Sequence, residues 1–167
     1  AAALSGGVDS VVLLHIIKQI QPQNNPINLS AIHINHGISE NSQKWTEFCQ
    51  NLCESLNISL QVTQYNIVKS GGESLENNAR QARYQTFFNH EADVIVLAHH
   101  QNDQVETTLS QIFRCSDLHN VAAMSIVSQK QNKFFWRPLL NISRSEIEAY
   151  AKEFSLEHIV DESNFDT

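Results

Sequence analysis

A chain of 167 residues with 41% hydrophobic and 17% charged residues suits one globular domain with a proper core rather than a disordered segment. Its net charge of -7, with only 11 Lys plus Arg, argues against broad grip on a nucleic-acid backbone by these residues alone, though not against a site for one nucleotide. No apolar run approaches the roughly 20 residues that span a bilayer, so no membrane partner is expected; the 3 cysteines (Cys49, Cys53, Cys115) make no even disulfide framework and point to a reducing, cytoplasmic setting.

The first apolar run, Ala1 to Leu4, starts without a lead-in, as a trimmed N-terminus would. It feeds Ser5-Gly6-Gly7-Val8-Asp9-Ser10, and a helical pattern follows: Val11, Val12, Leu14, Ile16, Ile17, Ile20. A loop between strand and helix is the expectation. Paired glycines let such a turn approach a ligand closely, and the helix N-terminus favours an anion there. Ser5 and Ser10 offer hydroxyls. Asp9 is the odd member, because a carboxylate repels phosphate; it fits as a holder of Mg²⁺ bridging to phosphates, or as a helix cap. No Walker lysine follows the glycines, so this is not the common P-loop.

Leu29 to Asn35 reads as a second strand ended by His36-Gly37. Trp45, Phe48, Cys49, Leu52, Cys53 and Leu56 recur at steps of three and four, one apolar stripe of a helix. Leu60 to Tyr65 alternates as a strand, Ser70-Gly71-Gly72-Glu73 is a loop, and a helix runs from about Ser74, its N-cap, to Asn89. Val94 to Ala98 is a continuous apolar strand. Asn102 to Arg114 is a helix with Asn102 as cap and Val105, Leu109, Ile112 and Phe113 on one face. Cys115 to Asn132 is loop-rich, Phe134 to Arg137 is a short strand, and Ser143-x-x-Glu146 opens a last helix with Ile147, Tyr150, Ala151 and Phe154 inward. This alternation argues for an α/β fold, a parallel sheet with helices on both faces. Ligands of such sheets bind beyond the carboxyl ends of the strands, and one crevice there would collect Ser5–Ser10 after the first strand, His33 to His36 at the second and His99–Asp103 after Val94–Ala98.

Two histidines, an Asp and a Glu in His99-His100-Gln101-Asn102-Asp103-Gln104-Val105-Glu106 suggest zinc at first sight, but no His-x3-His spacing supports it. A plain helix start explains Asp103 and Glu106 but not the histidines. Arg80 and Arg83, three apart, share a helix face; in a chain this poor in basic residues that face is more telling than a solvated patch.

The loop at Ser5–Ser10 resembles the S-G-G-x-D-S pyrophosphate loop of the N-type ATP pyrophosphatases. The stretch from His99 resembles the H-H-x-D-D-Q-x-E-T motif of one subgroup, the tRNA(Ile)-lysidine synthases, with Asn102 in place of an Asp. Glu76 to Tyr84, His33 to Ile38, Arg114-Cys115-Ser116, Arg137 to Leu140 and Asp161 to Asn164 resemble further motifs of that family in the same order, with Cys115 standing where a glycine is usual. The resemblance covers residues 1–167 as a single catalytic domain, without the C-terminal domains that grip tRNA. It implies a Rossmann-like, adenine nucleotide alpha hydrolase-like fold and the ligation of L-lysine to C2 of the wobble cytidine of tRNA(Ile) carrying a CAU anticodon. ATP would be split to AMP and pyrophosphate, and a homodimer is left open.

By the same resemblance Ser5, Gly6, Gly7, Val8, Asp9, Ser10 and His33 bind the nucleotide, with Mg²⁺ at Asp9. Asp9, Arg80, His99, Asp103 and Arg114 are catalytic, and His100, Asp103, Glu106 and Arg83 meet lysine or cytidine. Two other readings stand beside it: a tRNA thiolase of the same superfamily, for which Cys49 and Cys53 would matter, and a non-catalytic nucleotide-binding module.

Overall fold

The computed structural model describes residues 1–21, 27–37, 41–65, 75–114 and 123–160. In chain order the elements are β1 (Ala2–Ala3), α1 (Val8–Ile20), β2 (Ser30–Asn35), α2 (Ser42–Ser55), β3 (Ser59–Gln64), α3 (Leu75–Asn89), β4 (Val94–Val96), α4 (Gln101–Arg114), β5 (Val127–Lys130), β6 (Lys133–Trp136) and α5 (Arg144–Glu153). Among the described residues six strands form one sheet in the order β3-β2-β1-β4-β6-β5. Strands β1, β2, β3, β4 and β6 run parallel. The antiparallel edge strand β5, paired with β6, is an addition to the expected parallel sheet and falls within the stretch read as loop.

Side chains alternate across the sheet, so the inner strands β1, β2, β4 and β6 feed a core on each face. On one face Ala2, Leu4 and Ala31 pack with Val11 and Leu14 of α1 and with Cys49 and Cys53 of α2. Val96 continues that face beside Val12, Leu13 and Ile17 of α1 and Ile147 and Ala151 of α5. On the other face Ile32, Ile95 and Phe135 meet Phe87, Tyr84 and Phe88 of α3. Helix α1 therefore sits between two neighbours, which is why it buries seven of its residues rather than a single stripe.

Helix α5 is stopped at its start by a complete capping box, Ser143 accepting from the Glu146 amide and Glu146 from the Ser143 amide. Of its expected inward residues, Ile147 and Ala151 are buried and Tyr150 half-buried, whereas Phe154 is exposed and stacks on Tyr150 at 4.4 Å. The apolar face of α4 is also solvent-exposed at Val105, Leu109, Ile112 and Phe113. Among the described residues no helix is long and apolar enough to cross a membrane.

Strand order reverses at β1: β2 and β3 lie to one side, β4, β6 and β5 to the other. A crevice opens at such a reversal, beyond the carboxyl ends of β1 and β4. The Ser5–Ser10 loop leaves β1 there and His99-His100 leave β4 there. A shallow depression near Lys18, Leu29 and Ile58 lies at the opposite end of the strands and carries none of these groups.

Candidate active site

The loop closes around one hydroxyl. Ser10 Oγ accepts from the amides of Ser5 and Gly6, each at 3.2 Å, lies 3.1 Å from Ser5 Oγ, and donates to the Gly7 carbonyl at 2.9 Å. Ser10, read from sequence as a donor for a ligand, is thus buried and committed to the loop itself. Gly6 has φ +93°, a region that L side chains avoid, and a Cβ there would fall within 3.0 Å of Ile159 Cδ1. Gly7 is ordinary in conformation, and a Cβ on it would meet only Ser5 Oγ, at 3.5 Å, so the space above it is open. Gly7 is also the N-cap of α1, with no side-chain capping bond. The first amides of a helix have no acceptor within it. The Asp9 amide is engaged by its own carboxylate, which leaves those of Val8 and Ser10 at the helix start, an arrangement that favours an anion.

Asp9 stands in the first turn of α1 and gathers charge from two other elements. Arg144 donates to its Oδ2 at 2.9 Å, and His100 Nε2 lies 3.6 Å from its Oδ1. Oδ1 is buried and makes no hydrogen bond. Burial pushes the Asp9 carboxyl above the ordinary range; Arg144 and His100 oppose the shift without cancelling it, and Asp103 adds to it. An orphaned carboxylate oxygen of this kind fits a hard cation. Among the described residues no group of three or more His, Cys, Asp or Glu side chains is placed to hold a metal ion. A cation at Asp9 would take its other ligands from phosphate oxygens and water, the usual habit of Mg²⁺.

His100 and Asp103 form the start of α4. Asp103 Oδ2 accepts the His100 amide at 2.8 Å, and His100 Nδ1 accepts the Asn102 amide at 3.2 Å. The helix therefore begins at Gln101, one residue earlier than expected, and His100 rather than Asn102 supplies the capping atom. With Nδ1 taken by that amide, Nε2 is the ring nitrogen that faces Asp9. Asn102 turns elsewhere: its Oδ1 accepts the Arg144 amide at 3.4 Å.

His99 is half-buried, and its Nδ1 is buried without a partner. Burial lowers its pKa; Asp103 opposes this, and the charges of Arg137, Arg83 and His100 add to it. His36 also holds a buried, unpartnered Nδ1, and burial followed by the charge of Arg83 lowers its pKa. The arginine of α3 whose charge reaches the crevice histidines is thus Arg83. Arg80 is exposed, with its guanidinium 5.9 Å from the Tyr84 ring. Arg137 is buried at the end of β6, donates to the Ser125 carbonyl and Ser128 Oγ, and keeps a buried Nε without a partner. His33 is buried: Nδ1 donates to the Leu4 carbonyl at 2.9 Å and Nε2 lies 3.2 Å from Thr46 Oγ1, so its ring ties β2 to β1 and α2. Glu106 is exposed on α4. The Arg114 side chain, Cys115, Ser116 and Asp161–Asn164 lie outside the described set, as does the expected cap Ser74.

Sequence reasoning missed Arg144 entirely. It follows a capping serine and reads as surface charge; its partner Asp9 is 135 positions away. A basic residue in the first turn of a helix opposes the dipole, and that mismatch was the only available signal.

A family model described as a PP-loop domain matches residues 1–167. Relatives named tRNA(Ile)-lysidine synthase are similar over nearly the whole chain: 43% identity over 98% of it in Chromobacterium violaceum, 47% over 99% in Nitrosomonas europaea and 43% over 100% in Neisseria meningitidis serogroup B. The chain spans 38%, 36% and 39% of the length of these three curated relatives. Among solved structures, the fold is similar to a U34-tRNA thiolase of Methanococcus maripaludis, described with its [4Fe-4S] cluster. The TM-score is 0.79 at 18% identity, over 95% of this chain and 56% of that one. A phosphoadenylyl-sulfate reductase from Candida auris, in a phosphate complex, shares the fold more loosely, with a TM-score of 0.56 at 12% identity over 94% of this chain and 73% of that one. With the uncapped α1 loop at the sheet's reversal point and the family pattern running from first residue to last, the chain belongs to the PP-loop domain family.

Proposed function

We propose that residues 1–167 are the catalytic domain of an enzyme that uses ATP to join lysine to C2 of the wobble cytidine in tRNA(Ile). The observation that carries this is the meeting of two features in one crevice: an uncapped, glycine-turned loop suited to phosphate, and a His99-His100-Asp103 cluster leaving the neighbouring strand. The names of the similar relatives support the choice of substrates.

In this reading cytidine O2 attacks the α-phosphorus of ATP and pyrophosphate leaves. The ε-amine of lysine then attacks C2, and AMP leaves with the former O2. The amides of Val8 and Ser10 bind phosphate oxygens, and the open space over Gly7 admits them. Asp9, through its orphaned Oδ1, would hold Mg²⁺, which when bound neutralises charge on the departing pyrophosphate. The attacking amine must lose a proton. His99 is kept neutral by burial and presents Nδ1 without a partner, so it is the acceptor at hand. Arg83, whose charge reaches His99 and His36, offers a cation for a phosphate or carboxylate.

Cys49 and Cys53 do not favour the thiolase reading. Both are buried free thiols, and burial pushes their pKa values up to about 12 and about 11, far from the thiolate that sulfur chemistry needs. The test is ATP-dependent incorporation of labelled lysine into tRNA by the full-length protein, with nucleotide products resolved. AMP and pyrophosphate in step with lysine uptake are expected; ADP and phosphate would defeat the reading.

A further inference from the structure

Arg144 is placed against local preference. It occupies the first position of α5, where a positive charge opposes the helix dipole, and α5 needs nothing from it because Ser143 and Glu146 complete the cap. Its backbone amide is fixed by Asn102 Oδ1 and its Nε by Glu148 at 2.8 Å, which aims the guanidinium at Asp9. A residue that breaks a local rule and is held in place by two other groups marks function more often than stability. The contact has a chemical consequence. The guanidinium occupies Oδ2 and balances the charge of the carboxylate, so in this structure Asp9 can offer a divalent cation only Oδ1 and little net charge. The Arg144 side chain is nonetheless 42% exposed. A phosphate resting on the Val8 and Ser10 amides would offer it a partner at least as good as Asp9, because the guanidinium fork matches phosphate as well as carboxylate.

We infer that Arg144 is an exchange latch: it neutralises Asp9 in the nucleotide-free protein and transfers to a phosphate oxygen when nucleotide arrives, which opens Asp9 to the divalent cation. This rests on the ATP reading given above. It makes metal entry depend on nucleotide entry, so the cation is not bound in advance of the phosphates. Arg144 is a positioning residue toward the metal and a binding residue toward the phosphate.

The test measures binding, not turnover, on the full chain. Mn²⁺ alone is titrated by the loss of its free electron-spin-resonance signal, and MgATP is titrated by calorimetry, for the wild type, Arg144→Gln, Arg144→Lys and the double variant Asp9→Asn with Arg144→Gln. Arg144→Gln should bind Mn²⁺ alone about tenfold more tightly and MgATP about tenfold more weakly, each the size of one charge-assisted hydrogen bond. Asp9→Asn should abolish the gain in Mn²⁺ affinity, and Arg144→Lys should recover part of the MgATP affinity. Circular dichroism checks that each variant is folded, which the intact Ser143 cap favours. If the wild type takes up MgATP and Arg144→Gln matches it in both titrations, the latch is overturned and the ATP reading survives. If the wild type takes up no MgATP, the ATP reading falls and the latch falls with it.

Discussion

Gly6→Ala tests the loop most sharply, because the structure separates two costs in one substitution. The first is backbone strain: at φ +93° an alanine pays about 1–2 kcal/mol that glycine does not. The second is crowding. The new methyl would press on Ile159 Cδ1 and approach Cys49 Sγ to 3.3 Å. Ile159 Cδ1 is the far end of a side chain that can turn, so the crowding belongs at the low end of the overpacking range, about 1 kcal/mol. The sum, about 2–3 kcal/mol, lowers the melting temperature by about 4–12 °C for a chain of this size. Ile159 is half-buried, so Ile159→Ala alone should cost about 1 kcal/mol. In the double variant the strain and the lost isoleucine remain while the crowding is relieved, so it should be about 1 kcal/mol more stable than the sum of the single variants. Urea unfolding of all four proteins measures this. Additivity within about 0.3–0.5 kcal/mol would refute the reasoning, since uncoupled sites behave that way, and would place the whole cost in the backbone.

Other outcomes are expected. His33, His36 and His99 are held below their ordinary 6.5, so the unfolded chain binds more protons just below that value. Stability should then fall as pH drops from about 6.5 toward their folded values, and His33→Asn should flatten a melting profile taken between about pH 7 and about pH 5. Cys49→Ala with Cys53→Ala should cost about 1–3 kcal/mol in chemical denaturation while lysine transfer in folded protein stays nearly intact; lost transfer with unchanged melting would revive the thiolase reading. Asp9→Ala should abolish MgATP binding in calorimetry. With a net charge of -7, these 167 residues should shift tRNA(Ile) in a gel far more weakly than a full-length relative does; an equal shift would show that the domain carries the tRNA grip itself.

Most of the fold was legible in the sequence because its signals are local. The continuous run at Val94–Ala98, the 3–4 spacing of Cys49 and Cys53 and the Ser143–Glu146 box each sit inside one element and need no partner to be read. Strand β5 left no such signal: Val127–Lys130 is a largely exposed edge strand whose polar residues do not alternate cleanly. The stripe on α4 was readable as a helix face, but periodicity tells which residues point together and not what covers them, so its exposure had to come from the structure. The site divides the same way. Ser5–Ser10 and His99–Asp103 are contiguous and were found, whereas the Asp9–Arg144 pair joins the two ends of the sequence and exists only once α1 and α5 lie side by side.

Strand β1 has one more consequence. It holds two residues, yet both halves of the sheet close on it: Ala2 pairs with Ala31 on one side and with Val96 on the other. The β5–β6 hairpin and the β2–β3 pair are near neighbours in the chain, whereas the β1–β4 seam must gather residues from opposite ends of more than half the sequence. The entropy of closing so long a loop falls on that seam, and pairings of high sequence separation form slowly. The crevice exists only along the seam. A nucleotide therefore finds nothing to recognise on a chain that has gained its helices but not yet joined β1 to β4, and its capture during refolding reports the last pairing of the sheet rather than the first.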